Sequence, residues 1–176
     1  AVMTRGDVLI ENAVVEHVQA AIAKLREVGA LITVNGEGVR VRGVERPRPT
    51  DVKTLPYPGF PTDMQPQMMA LLSIADGTSV ITETIFDSRF KQAEELSRMG
   101  ARIRNEGRTA IIKGVPKLSG ALVVATDLRS GASLVIAGLA AEGQTVVGGI
   151  RNVDRGYEKF EVKLRSLGAD VVRVAS

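Results

Sequence analysis

Cysteine and tryptophan are absent from the chain, and histidine occurs once, at His17. Without thiols these residues form no disulfide, no thiolate metal site and no cysteine nucleophile, a usage compatible with a reducing compartment. Aromatic residues amount to 3%, four Phe and two Tyr. The core must therefore be built from Val, Ile, Leu, Ala and Met. Long hydrophobic runs are missing as well. No uncharged stretch is longer than SGASLVIAGLAA at 130–141, which falls well short of the roughly 20 apolar residues that a membrane-spanning helix requires. The opening residues, AVMTRGDVLI, lack the charged start, apolar middle and small-residue cleavage site of a secretory leader. A cytoplasmic protein with no membrane partner is the expectation.

What is present fits a soluble α/β protein. The 176 residues are 44% apolar, enough for one sizeable domain or two small ones, and 18 glycines imply many turns. The formal charge is +3, from 23 basic and 20 acidic residues. That balance suits nucleic acid, anionic small molecules or no special partner. The densest basic stretch, RVRGVERPRPT at 40–50, places Arg40 and Arg42 on one side of an alternating strand and Arg46 and Arg48 among prolines. With no aromatics interleaved for base stacking, it reads as a solvated strand edge or connector, and no nucleic-acid partner is expected.

Internal repetition is the strongest organising signal. GDVLIENAVVEHVQAAIAKLREVGA begins at Gly6, GTSVITETIFDSRFKQAEELSRMGA at Gly77 and GQTVVGGIRNVDRGYEKFEVKLRSLGA at Gly143. Their closing Gly-Ala pairs start at 29, 100 and 168, spaced 71 and 68 apart. Each segment reads as a short β run leading into a helix, with Val14, Val18, Ile22 and Leu25 at helical spacing in the first and a left-handed glycine stop. Hairpins follow the first two, around Asn35-Gly36 and around Asn105-Glu106-Gly107. A further module, PTDMQPQMMALLSIADG, precedes the second segment, and ATDLRSGASLVIAGLAAEG precedes the third. Both begin with Thr-Asp, where Thr62 or Asp63 and Thr126 or Asp127 suit helix N-caps. The helices that follow are apolar all round and so must be buried. The expected architecture has buried helices, outer sheets and amphipathic helices, and pseudo-threefold symmetry. One domain over 1–176 is expected, with repeats at about 1–56, 57–120 and 121–176. The first repeat has no Thr-Asp module and the last ends after one hairpin strand, as in a fragment of a larger domain.

GFPTDMQPQ, DLRSGASLVIAGLAAEG and DRGYEKFEVKLRSLGA resemble the UDP-N-acetylglucosamine 1-carboxyvinyltransferase family of enolpyruvyl transferases, over essentially the whole chain and the C-terminal part of such an enzyme. The resemblance implies an inside-out α/β barrel of three βαβαββ units, one of two domains with substrates in the cleft between them. The sister family that makes enolpyruvylshikimate phosphate shares that fold but matches the Thr-Asp-Met-Gln and Asp-Arg-Gly-Tyr runs less well. A non-catalytic repeat module is the other alternative. The implied reaction moves the enolpyruvyl group of phosphoenolpyruvate to the sugar 3-hydroxyl through a tetrahedral intermediate and releases phosphate, without metal or cofactor, at the start of peptidoglycan precursor synthesis. It needs a base for the hydroxyl, an acid for the enolpyruvyl carbon, and cations for phosphate and carboxylate.

Carried onto this sequence, the resemblance makes Asp63 the base; by spacing alone it reads as an N-cap. Ile85, otherwise a strand residue, matches a position that contacts the nucleotide sugar through its backbone. Arg89 and Arg155 lie at or near the starts of expected helices, where the macrodipole disfavours a cation. Local pairing with Asp87 and Asp154 is one account of them. The resemblance makes Arg155 the group gripping phosphoenolpyruvate and Arg89 part of the cleft lining. Asp127 and Arg129 match residues that position the reacting centre, or are a cap and a solvated first-turn cation. His17 aligns with Ser88 and Asp154 and reads as structural, and Met64, Met68 and Met69 as core filler rather than metal ligands. The family's catalytic acid, a cysteine or aspartate on a loop of the other domain, and its phosphoenolpyruvate-binding lysine have no match here, so these residues alone are expected not to turn over.

Overall fold

The computed structural model describes residues 1–36, 38–87 and 89–174. In the first unit β1 (Asp7–Glu11) leads through a 3-10 turn at Val15–Val18 into α1 (Gln19–Glu27) and the hairpin of β2 (Leu31–Asn35) and β3 (Gly38–Arg42). The second unit runs β4 (Val52–Lys53), which pairs with β5 although it lies before the 57–120 expected for that repeat, α2 (Gln65–Leu72), β5 (Thr78–Thr82), α3 (Gln92–Arg98), β6 (Arg102–Glu106) and β7 (Thr109–Lys113). The third runs β8 (Leu122–Val124), α4 (Leu128–Ala140), β9 (Val146–Gly148), α5 (Arg151–Asp154) and α6 (Phe160–Ser166).

Shared sequence produces shared geometry. Asp7 and Leu31 flank Arg42 in the sheet ordered β1-β3-β2, and Thr78 and Arg102 flank Lys113 in the sheet ordered β4-β5-β7-β6. β4 lies parallel to β5 as β8 does to β9. Each closing glycine is left-handed, with φ of 102° at Gly29, 90° at Gly100 and 92° at Gly168. The following alanine N–H reaches back to the same helical carbonyl each time: Ala30 to Leu25 at 3.0 Å, Ala101 to Leu96 at 3.0 Å and Ala169 to Leu164 at 3.1 Å. A side chain at the glycine would strain this stop.

The core lies between helices. Every residue of α2 but Gln67 is buried, and α2 packs against α4, whose Ser130–Leu134 stretch and Ala137 are buried in turn. At about 1.5–3 kcal/mol for each fully buried Leu or Met side chain, this contact outweighs any local propensity. No helix of the described residues is long and apolar enough to cross a membrane.

Several details depart from the sequence expectation. Asn35 pairs with Gly38 and Glu106 with Thr109, so the hairpin loops are 36–37 and 107–108, with Glu37 outside the described residues. Register follows the inward residues Val39, Val41, Ala110 and Ile112 rather than the turn signal. Of the apolar stripe on the first helix only Ile22 is buried outright; Val14 and Val18 are exposed because the 3-10 turn there breaks the 3.6-residue period. Arg40 and Arg42 stand on β3, the central strand and not an edge, and both bond Asp7, the Arg40 hydrogen bond chiefly holding that carboxyl at about 2. The third segment carries two helices, separated by Lys159 in a left-handed conformation. Residues 171–174, expected as a strand, pair with nothing in a ladder: the counterpart of β7, on which β6 pairs, does not occur among the described residues. The three sheets stay separate, and no barrel closes among the described residues.

Close helix approach fixes α5 on α4. A methyl group on Gly131 would lie 2.4 Å from Val153 Cγ2 and 2.8 Å from Ala125 Cβ. Gly131→Ala is expected to lose about 1–3 kcal/mol of stability by overpacking, despite the roughly 1 kcal/mol that alanine gains in helix propensity. Urea denaturation reads the outcome, and an unchanged or raised midpoint would disprove the contact.

Candidate functional site

The polar groups of the buried helices are pushed to their N-terminal ends. Ahead of α2, Pro61 is extended and Thr62–Met64 form a 3-10 turn; neither Thr62 nor Asp63 caps the helix. Ahead of α4, Asp127 is extended and its Oδ1 accepts from the N–H groups of Arg129 at 3.0 Å and Ser130 at 2.9 Å. The two acids match in sequence and differ in function. Asp127 is a true cap, whereas Asp63, its side chain 51% exposed, is free to bind side chains.

Those side chains come from two successive units. Asp63 Oδ1 accepts from Arg89 Nη2 at 2.8 Å and Oδ2 from Arg129 Nη2 at 2.7 Å. The Arg89 guanidinium also donates through Nη1 to Thr62 Oγ1 at 2.7 Å and lies 4.7 Å from the centroid of the Phe86 ring. Burial is the largest single influence on Asp63 and pushes its carboxyl up, but the hydrogen bonds and charges of Arg89 and Arg129 together outweigh it, and the net direction is down. An exposed ion pair contributes about 0–1 kcal/mol, and a cation in the first turn of a helix costs about 0.3–1 kcal/mol. For Arg129 the two nearly cancel, so stability alone does not account for the cluster.

Neither arginine takes the local partner that sequence proximity offered. Asp87 pairs with Arg108, leaving Arg89 to Asp63. Asp154 pairs with Arg173, 2.7 Å away. Arg155 is exposed, and its guanidinium has no hydrogen bond or ion pair among the described residues. It sits at the C-terminal end of α5, not at a helix start, and Gly156 beside it lies so close to α4 that an added Cβ would be 2.6 Å from Leu128 Cδ2. The packing thus sets Gly156, next to Arg155 in the chain, against the side chain of Leu128, which stands between Asp127 and Arg129. Ile85 falls in the loop after β5 rather than in the strand, 38% exposed, its N–H donating to Glu83 Oε1 at 2.9 Å. His17 is exposed in the 3-10 turn, and its aligned partner Ser88 lies outside the described residues.

Sequence reading missed Glu83. Fully buried, it accepts from Thr54 Oγ1 at 2.7 Å, Thr62 Oγ1 at 2.8 Å, and the N–H groups of Ile85 and Phe86 at 2.9 and 3.2 Å. Burial is the largest influence and raises its carboxyl, yet the four hydrogen bonds together bring it below the ordinary value. The signal was there: Ser79, Ile81 and Glu83 alternate on the inward face, and all three are buried.

Asp127→Ala should cost about 1 kcal/mol through the lost cap, while Asp63→Ala should change stability by less than about 1 kcal/mol; paired denaturation curves compare them. Glu83 has a folded pKa below its unfolded value of about 4.3. Its stabilising contribution is therefore complete above that value and is lost as pH falls toward the folded one. Between pH 7 and pH 3 the denaturation midpoint of the wild type should fall more steeply than that of Glu83→Gln. Parallel slopes would contradict the assignment.

The EPSP synthase (3-phosphoshikimate 1-carboxyvinyltransferase) family matches residues 1–164. UDP-N-acetylglucosamine 1-carboxyvinyltransferase 1 of Carboxydothermus hydrogenoformans is 59% identical over 174 residues, covering 99% of this chain and 41% of the relative. UDP-N-acetylglucosamine 1-carboxyvinyltransferase of Desulfofundulus thermocisternus is 57% identical over 173 residues, covering 98% of this chain and 71% of the relative. Among solved structures, the enolpyruvyl transferase NikO from Streptomyces tendae superposes with a TM-score of 0.79 at 29% identity, over 87% of this chain and 36% of its own. EPSP synthase from Acinetobacter baumannii shares the fold, with a TM-score of 0.72 at 22% identity over 97% of this chain and 40% of its own. The chain spans about 40% of the length of most of the curated relatives it matches. On these grounds the chain belongs to the EPSP synthase family of enolpyruvyl transferases, among the members named UDP-N-acetylglucosamine 1-carboxyvinyltransferase.

Proposed function

We propose that this chain forms one wall of a cleft in which the enolpyruvyl group of phosphoenolpyruvate is transferred to the 3-hydroxyl of UDP-N-acetylglucosamine, with release of phosphate. The observation that carries the reading is the Asp63 carboxylate shared between Arg89 and Arg129 from successive units. In this reading Asp63 accepts the hydroxyl proton. Both its oxygens are bonded to guanidinium groups, which keeps it ionised and makes it a weak base. Anionic reactants that draw Arg89 and Arg129 toward themselves release one oxygen and restore its basicity. Arg155, unpaired among the described residues, grips phosphoenolpyruvate, and Arg89 lines the cleft. Asp127 acts by holding the first turn of α4 and hence Arg129 beside the reacting centre. The backbone at Ile85 meets the nucleotide sugar.

The chain, read as one domain of three repeats, supplies the base and the cations; a second domain supplies the acid that protonates the enolpyruvyl carbon. The process is the opening of peptidoglycan precursor synthesis, in the cytoplasm. Calorimetry with UDP-N-acetylglucosamine tests the reading: weak binding is expected, reduced at least about tenfold, or about 1.4 kcal/mol, in Asp63→Ala. These residues by themselves should release no phosphate from the two substrates, because half of the reacting geometry is lacking. Absence of nucleotide-sugar binding, combined with salt-dependent retention on DNA, would instead favour a non-catalytic binding module.

A further inference from the structure

Glu83 lies beneath the Asp63 cluster with no exposed surface, and among the described residues no cation bonds it directly. Its partners are two hydroxyls and two backbone N–H groups, drawn from the segment after β4, the turn before α2 and the loop after β5. A buried carboxylate is costly unless such donors surround it. If packing were the only requirement, a neutral side chain would serve at lower cost.

The number of protons decides what the charge does. An ionised carboxylate only accepts, and a threonine hydroxyl has one proton to give. Thr62 must spend that proton on Glu83 Oε2, 2.8 Å away, which leaves its oxygen to accept from Arg89 Nη1 at 2.7 Å. Thr54 repeats the pattern, donating to Glu83 Oε1 at 2.7 Å and accepting from the Thr84 N–H at 2.9 Å. Both hydroxyl relays end on Glu83. The second nitrogen of the same Arg89 fork holds Asp63 Oδ1. With Gln at position 83, the amide oxygen is required where three donors converge, so its NH2 faces Thr62. Thr62 then faces two donors while its own proton loses its acceptor, and the negative charge that orients the hydroxyl toward Arg89 is gone.

We propose that Glu83 is a positioning residue for this site: through the Thr62 hydroxyl it sets how Arg89 grips Asp63, and through two backbone N–H groups it sets the loop bearing Ile85. The inference deepens the enolpyruvyl-transfer reading and rests on it for the meaning of the site, though not for its principal test. That test follows the Asp63 carboxyl carbon by NMR as pH is lowered in the wild type, Glu83→Gln, Thr62→Val and Thr62→Ser. In Glu83→Gln and Thr62→Val the Asp63 midpoint should rise toward the ordinary aspartate value of about 3.9, while Thr62→Ser keeps the wild-type midpoint because it keeps the relay. Affinity for UDP-N-acetylglucosamine should fall on the order of tenfold in the first two variants and be retained in Thr62→Ser. An unmoved Asp63 midpoint in folded Glu83→Gln and Thr62→Val overturns the proposal. Should Glu83→Gln not fold, the two Thr62 variants decide it. A wild type that binds no nucleotide sugar defeats the functional reading, whereas the Asp63 titration judges the positioning role separately.

Discussion

Two helices without a polar face constrain the rest of the structure. α2 buries every residue but Gln67, and α4 its Ser130–Leu134 stretch and Ala137, so charge near them reaches water chiefly at their ends. Their C-terminal ends run into the glycine turns that open the next strands, Gly77 and Gly143. Their N-terminal ends carry Thr-Asp. Packing α2 on α4 therefore brings two acids, and the arginines that attend them, into one neighbourhood without any element being dedicated to that purpose.

Repetition makes the arrangement economical, and small departures from repetition make it chemically useful. Were α2 to begin directly after Asp63, as α4 begins after Asp127, both carboxylates would be consumed as caps. A 3-10 turn over Thr62–Met64 shifts the start of α2 and frees Asp63 for Arg89 and Arg129. A comparable departure splits the last helical segment at Lys159 and leaves Arg155 at the end of α5, with its neighbour Asp154 committed to Arg173. The three candidate arginines thus differ in availability. Arg89 and Arg129 already hold a carboxylate, while Arg155 faces solvent.

Beneath the exposed cluster, Glu83 provides rigidity of a different kind. A half-exposed ion pair is screened by water and adapts easily. A buried carboxylate with all its donors in place does not, since moving any of them leaves charge unsatisfied in a poorly polarisable interior. The cluster thus sets partly exposed arginines and Asp63 over a fully buried carboxylate.

The sequence by itself determined the repeating units, the glycine stops and the burial of α2 and α4, because each follows from short-range physics: backbone handedness at Gly29, Gly100 and Gly168, and apolar periodicity within one helix. The Thr-Asp pairs were visible as helix-start residues on similar grounds, whereas the arginines at 89, 129 and 155 stood out as site candidates through the family resemblance. Only the tertiary structure decided which acid is a cap and which a ligand, that Arg89 ignores Asp87, and that Arg155 ends a helix rather than starting one. It also decided that Val14 and Val18 face water. Each of these turns on which groups from distant segments arrive within hydrogen-bond reach, or fail to. Spacing along one chain does not encode that, because it emerges when separate units dock.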